Sequence, residues 1–379
     1  MRTIADICRH RLAGQFLSTV GPARASDVVA ALGAVQAQDY AGAKWAIAQR
    51  TPGTTDAAVE REIDAGRILR THVLRPTWHF VAPADIRWML ELTGPRVAAA
   101  MAPVNRRLEL DAAVYRRSQA VFAKVLSGGQ CLTRAELRAH LARARVKLTT
   151  SQQLGHLMMQ GELDGVLCSG PRRGKQFTYA LLDERAPKSP SKTRDEALLE
   201  LTRRYFATRS PATPRDFAWW SGLTVADAKR GITLAGKDLE EVTLGERSYW
   251  IAPAAPRSQP SSRRAHLLPN YDEYFIGYRD RSAIADRLGH ATSVTGGTAL
   301  IPHVIVVDGQ LVGVWKRTFE KTATLVTLSL TTRLSKKEEK AIVGEVERFR
   351  AFLGTPVELR SGRSMRAGYA VNEKVELDS

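Results

Sequence analysis

The chain has 379 residues, a hydrophobic fraction of 44% and a formal net charge of +17 at pH 7. That length suggests two to four domains, and that apolar content can fill ordinary cores, which excludes a disordered basic tail. The excess of 56 Lys and Arg over 39 Asp and Glu attracts a polyanion, with DNA, RNA and an anionic membrane as the candidates. Membrane is the weakest of the three. No stretch approaches ~18 uncharged apolar residues, and Asp6, Arg9 and Arg11 interrupt any signal-like run after Met1, so a cytoplasmic location is expected.

In chain order, helices are expected at 4–18, 26–33, 42–50 and 55–66. A hairpin follows, through 68–70 and 77–81 with Pro76 at its turn, and helices from 83 to about 108 lead onward. The middle segment is the clearest. Val114, Val121, Phe122, Val125 and Leu126 share a helical face that Ser127, Gly128 and Gly129 end. Thr133 and Glu136 form a capping box ahead of Leu137 and Leu141. A third helix starts near Thr150 or Ser151, carries Leu154, Leu157 and Met158, and ends at Gly161. Beyond 166–168 and a basic loop at 170–175, Phe177, Tyr179 and Leu181 alternate as in a half-buried strand. Three helices and a hairpin with a basic tip make a winged helix.

The pattern recurs at about 200–252. Leu198, Leu201, Tyr205 and Phe206 mark one helix, Thr213 and Pro214 open a second, and Thr224 with Asp227 caps a third ahead of strands at 242–244 and 249–251. The segment 253–263 reads as a linker. Strands are then expected at 299–307, 311–315 and 323–330, the first two joined by an Asp308-Gly309 turn. A last helix is capped by Ser335 and Glu338, lined by Ile342, Val346, Phe349 and Leu353, and ended by Gly354 and Pro356. The expected fold class is therefore α+β. Tandem winged helices occupy 1–110, 111–187 and 188–255, and a β-rich, barrel-like domain occupies 256–379.

Little in the chain signals conventional catalysis. Cys8, Cys131 and Cys168 lie far apart and outside any C-x-x-C pair, so they are expected to be reduced thiols. The eight histidines have no H-E-x-x-H spacing, so neither a metal nor another cofactor is expected. The loop from Gly170 to Lys175 looks like a phosphate loop but is too short and is followed by Gln176. It reads as a wing tip on which Arg172, Arg173 and Lys175 meet phosphates of duplex DNA. Arg75 and His79 on the first wing, and Arg263 and Arg264 in the linker, are further candidates for DNA contact, although a structural hydrogen bond suits His79 equally.

Four stretches carry a family resemblance: Leu32 to Asp39 with Gln36-Ala37-Gln38 inside it, Leu74 to Val81, Leu267 to Tyr274, and Val307 to Lys316. Together they resemble the AlkZ-like winged-helix DNA glycosylases, which unhook interstrand crosslinks and remove bulky N7-alkylguanine adducts. The resemblance spans nearly the whole chain. It implies that Gln36 and Gln38 are a catalytic pair, and that three winged helices and a C-terminal barrel form a C-shaped clamp on duplex DNA. The related YcaQ-like branch has Asp at the second catalytic place, where this chain has Gln38.

The residues themselves set limits on such chemistry. If 36–38 is extended, the two glutamines project to one side. A carboxamide can orient water and stabilise an oxocarbenium-like sugar, but it is not a general base near neutral pH. The leaving base must then already be activated, as a cationic N7-alkylguanine is. Asp39 is a candidate base, but it serves equally well as the cap of the helix beginning near residue 41. Asp272 and Glu273 read as ion-pair partners of Arg279 and Arg281, and Trp219 and Trp220 as core. The first reading is a monomeric, monofunctional DNA glycosylase acting on damaged or crosslinked duplex. The alternative is a non-catalytic winged-helix transcription regulator, and the glutamine pair and the lack of an evident dimerisation helix favour the enzyme.

Overall fold

The computed structural model describes residues 3–188, 190–253, 265–288 and 302–361. After α1 (Ile4–Gly14), one order of elements appears: α2 (Ala25–Leu32), β1 (Ala34–Gln36), α3 (Tyr40–Ala48), α4 (Asp56–Asp64), β2 (Leu69–His72) and β3 (Trp78–Val81). β3 is the central strand, antiparallel to both neighbours. The long α5 (Ile86–Arg107) leads to a second set: α6 (Ala112–Leu126), β4 (Leu132–Thr133), α7 (Arg134–Arg143), α8 (Ser151–Leu163), β5 (Leu167–Ser169) and β6 (Thr178–Leu181). Its sheet has the matching order β4-β6-β5.

After the one-turn α9 (Leu182–Arg185), a third set follows: α10 (Arg194–Arg209), α11 (Pro214–Ser221), α12 (Val225–Ala235), β7 (Glu240–Leu244) and β8 (Arg247–Ile251). Here a single bridge, Ala212 to Trp250, stands where the other sets have their first strand. These helices start where side chains can cap them. Capping boxes sit at Thr133/Glu136, Thr150/Gln153, Thr193/Glu196, Thr213/Asp216 and Thr224/Asp227, and each cap contributes about 1 kcal/mol.

The remaining elements are β9 (Ala265–Leu268), α13 (Glu273–Ile276), α14 (Ser282–Ala285), β10 (His303–Val307), β11 (Gln310–Phe319), β12 (Thr324–Leu330), α15 (Lys336–Leu353) and β13 (Val357–Ser361). They form one five-stranded sheet, β13-β12-β11-β10-β9, with β13 parallel to β12 and the other pairs antiparallel. β9 and β13 do not pair with each other, so the expected barrel is corrected to an open sheet among the described residues. The sheet needs no closure, because the first set and α15 cover it. Val28, Val29, Trp45 and Ile47 share a core with Leu267, Ile305, Val307, Phe349 and Phe352. The face of α15 also differs in one place from its expected pattern: Phe352 is buried and Leu353 is only half-buried.

The second set keeps its own core around Phe122, Leu137, Leu157 and Tyr179. Between it and the third set, α5 and β2 pack on α10, α11 and α12 in another core. All three cysteines are unpaired, with Cys8 and Cys168 buried. No described helix is long and apolar enough to cross a membrane.

Candidate active site

β1 is only three residues long, and contacts from distant parts of the chain hold it in place. Its Gln36 lies opposite His79 in the ladder with β3, and the Gln36 backbone N–H donates to Glu273 Oε1 at 3.1 Å. Glu273 is itself fixed. Its Oε2 accepts from Arg209 Nη2 at 2.6 Å and from Trp220 Nε1 at 2.8 Å, with all three side chains buried. Arg209 also donates to the carbonyls of Leu32 and Ala34, on the approach to and start of the strand. One residue on, the Ala37 N–H donates to the Trp78 carbonyl at 2.7 Å. The Ala37 carbonyl accepts from Arg70 Nε and Nη2 at 3.2 and 3.1 Å. The backbone at 36–37 is thus tied on both sides, while the two glutamine side chains make no hydrogen bond to these clamps.

The two glutamines differ in surroundings. Gln36 is 6% exposed, and its Oε1 is buried without a hydrogen-bond partner. An unmet acceptor of this kind costs about 1–3 kcal/mol, so its retention calls for an explanation. Gln38 is exposed and forms part of the wall of a cavity of about 500 Å3. Asp39 does two structural jobs. Its Oδ1 caps α3 through the Gly42 N–H at 3.0 Å, and its Oδ2 pairs with Arg317 on β11 at 2.5 Å. It is therefore engaged, not poised as a base.

Of the residues expected on DNA, His79 is corrected. It is 1% exposed, and its Nδ1–H donates to the Thr77 carbonyl at 2.9 Å, so the ring has no outward face for a phosphate. Burial above all, and then the charge of Arg75, hold it neutral with a pKa well below 6.5, against a smaller opposing pull from the Thr77 carbonyl. Arg75 is half-buried, with Nε and Nη2 buried and unpartnered. Arg172 serves the joint between the first two sets. Its N–H donates to Asp64, its guanidinium lies 3.6 Å from Glu60, and it covers the Tyr40 and Phe177 rings. Arg173 is exposed but paired with Glu136 at 2.8 Å. Lys175 is exposed on the same hairpin. Arg263 and Arg264 lie outside the described residues.

Asp272 and Glu273 do form buried ion pairs, but not with Arg279 and Arg281. Arg50 holds Asp272 through two bonds of 2.8 Å, and Arg209 holds Glu273. Trp220 is core, as expected, and Trp219 is half-buried. Sequence reasoning missed Arg70 and Arg209 altogether, because nothing local distinguishes them from the chain's other arginines. Among the described residues no group of His, Cys, Asp and Glu could hold a metal ion.

The model of the AlkZ-like DNA glycosylases matches residues 29–352. The chain belongs to this family. As an AlkZ-like DNA glycosylase it is an enzyme that acts on N-glycosyl bonds, and DNA is its substrate. It is 26% identical over 321 residues to a Streptomyces sahachiroi protein described as an interstrand DNA cross-link repair glycosylase, covering 81% of this chain and 85% of that one. The solved structure of the S. sahachiroi DNA glycosylase AlkZ is similar throughout. The TM-score is 0.76 at 25% identity, over 95% of this chain and 100% of the other. The AlkZ-like match begins before the glutamine pair and ends in α15, so it takes in every element that holds β1.

Proposed function

We propose that this AlkZ-like protein hydrolyses the N-glycosidic bond of cationic N7-alkylguanine in duplex DNA, including guanine tethered in an interstrand crosslink, with Gln36 and Gln38 as its catalytic residues. The observation that carries the reading is the buried, unpartnered Oε1 of Gln36, on a strand whose backbone is clamped from both sides. As C1′ loses its base, the sugar gains positive charge, and a carbonyl oxygen fixed in advance can meet that charge without reorganisation. Gln38, exposed in the bend two residues beyond that short strand, is suited to orienting the attacking water. Neither carboxamide can take a proton strongly, and Asp39 is engaged elsewhere, so the site suits a leaving group that departs as a neutral base.

The three recurring sets of elements are read as winged helices, with the open sheet closing a C-shaped, monomeric clamp on DNA. Lys175 offers a phosphate contact at the tip of the second hairpin. Arg173 can offer another by giving up an exposed pair with Glu136 that is worth about 0–1 kcal/mol. Interstrand DNA cross-link repair is the activity in the name of the S. sahachiroi relative, and here it is read as unhooking. It fits an exposed Gln38, because a base tethered to the opposite strand cannot swing into a deep pocket.

The test compares single-turnover excision of a bulky N7-alkylguanine, N7-methylguanine and uracil from one duplex sequence. Both cationic bases should be released and uracil retained. Efficient uracil release would show that the enzyme activates its leaving group and would sink this account.

A further inference from the structure

The cavity beside Gln38 belongs to neither of the first two sets of elements alone. Gln38, Arg70 and Trp78 come from the first. Thr133, Arg134 and Ala135 at the start of α7, and Lys175, Gln176, Phe177 and Tyr179 from the second hairpin, complete it. Its volume of about 500 Å3 falls within the roughly 300–1,000 Å3 of small-molecule sites. It is open, and Trp78, Phe177 and Tyr179 are the aromatic part of its wall.

We infer that this cavity receives a planar aromatic substituent carried on N7 of the damaged guanine, and so sets which adducts the enzyme prefers. The inference rests on the reading of Gln38 as catalytic, since Gln38 forms part of the cavity wall. The wall supplies the chemistry. The Arg70 guanidinium lies between two rings, 4.3 Å from the Trp78 centroid and 4.7 Å from that of Phe177. It has no carboxylate within ion-pair reach among the described residues, and its Nε and Nη2 donate to the Ala37 carbonyl. The cation therefore holds the two aromatic walls in place instead of answering an acid.

Phe177 stays 37% exposed although Arg70, Arg172 and Tyr40 lie against its ring, so part of the ring is left to water in the free protein. A flat guest gains there both by removing apolar area from water and by ring-on-ring contact. Charge narrows the guest further. Arg70, Arg134 and Lys175 line the cavity and no carboxylate does, so a cationic arm is disfavoured and a neutral aromatic one accepted. Arg134 and Lys175 are exposed, where the phosphates beside the lesion can meet them.

The test uses three duplexes of one sequence carrying N7-methylguanine, N7-benzylguanine or N7-(cyclohexylmethyl)guanine. Single-turnover efficiency is measured for the wild type, Phe177→Ala and Ala135→Phe, each checked for folding by circular dichroism. The wild type should favour benzyl over both methyl and cyclohexylmethyl. Losing the ring in Phe177→Ala should lower the benzyl-to-methyl ratio by about 2- to 10-fold, the range expected of one ring pair. Ala135→Phe fills the cavity from the far side and should lower the same ratio by obstruction. If the wild type releases all three at equal efficiency, or if neither substitution moves the ratio, the cavity does not select adducts, while the glycosylase reading stands. If no adduct is released at all, both fall.

Discussion

Gln36 and Gln38 sit two residues apart but in different environments, one buried with an idle carbonyl and the other facing a cavity. Both are asked to act on a transition state, while affinity for DNA comes from basic side chains elsewhere. Gln38→Ala should therefore lower the single-turnover rate by about 100-fold or more with little change in duplex Kd, as when one stabilising group is removed from an oxyanion hole. A rise in Kd with an unchanged rate would make Gln38 a binding residue. The pH profile follows from the same residues. Carboxamides do not titrate, and burial keeps His79 neutral well below pH 6.5. Single-turnover rates should be flat from pH 6 to 8, and a slope with a midpoint near 6.5 would put a titrating histidine in the step.

At the scale of elements, β1 is too short to hold itself. Its position depends on Glu273 and Arg209, with Glu273 lying 237 positions from the Gln36 N–H that it accepts. Glu273→Ala leaves the Arg209 charge buried and uncompensated and should cost about 3–5 kcal/mol of stability, read as a lower urea midpoint. Glu273→Gln should recover part of that loss, since an amide oxygen can still accept the Gln36 N–H. A midpoint unchanged by Glu273→Ala would mean that the pair is dispensable.

This division also explains what the sequence made legible. Helix starts could be read, because a capping box is a contact between residues three apart: Thr133 with Glu136, Ser335 with Glu338. β1, β9 and β13 could not, because each is a short run whose strand character comes from a remote partner. Asp272 and Glu273 stood out as acids in a basic chain, yet their partners proved to be Arg50 and Arg209. Sequence proximity had suggested Arg279 and Arg281, and burial of a distant arginine leaves no local mark.

At the scale of the whole molecule, the +17 charge is the feature that composition alone exposes, and the cavity between the first two sets is the one that it hides. Duplex binding should be strongly salt-dependent and nearly indifferent to sequence. Between 50 and 200 mM salt the affinity should fall by about a thousandfold if some six phosphates are neutralised. A flat salt response, or a sharp preference for one palindrome, would point to a sequence-reading regulator instead.

Stability should fall in mild acid. Burial first, and then Arg317, pushes His303 down to about 4, and His79 lies well below 6.5. Below pH 6.5 the unfolded chain takes up these protons and the folded chain does not. The stabilisation is therefore complete above about 6.5 and is lost as pH drops towards 4. Urea midpoints that stay level from pH 7.5 to 5 would contradict this.

The central claim is hydrolysis of the N-glycosidic bond of an N7-alkylguanine by this family member. It is met most directly by incubating the protein with a duplex carrying one N7-alkylguanine and following the products by mass spectrometry. Free N7-alkylguanine and an abasic site should appear in equal amounts, with the strand intact until alkali is added. Recovery of the duplex unchanged, or strand cleavage without alkali, would contradict it.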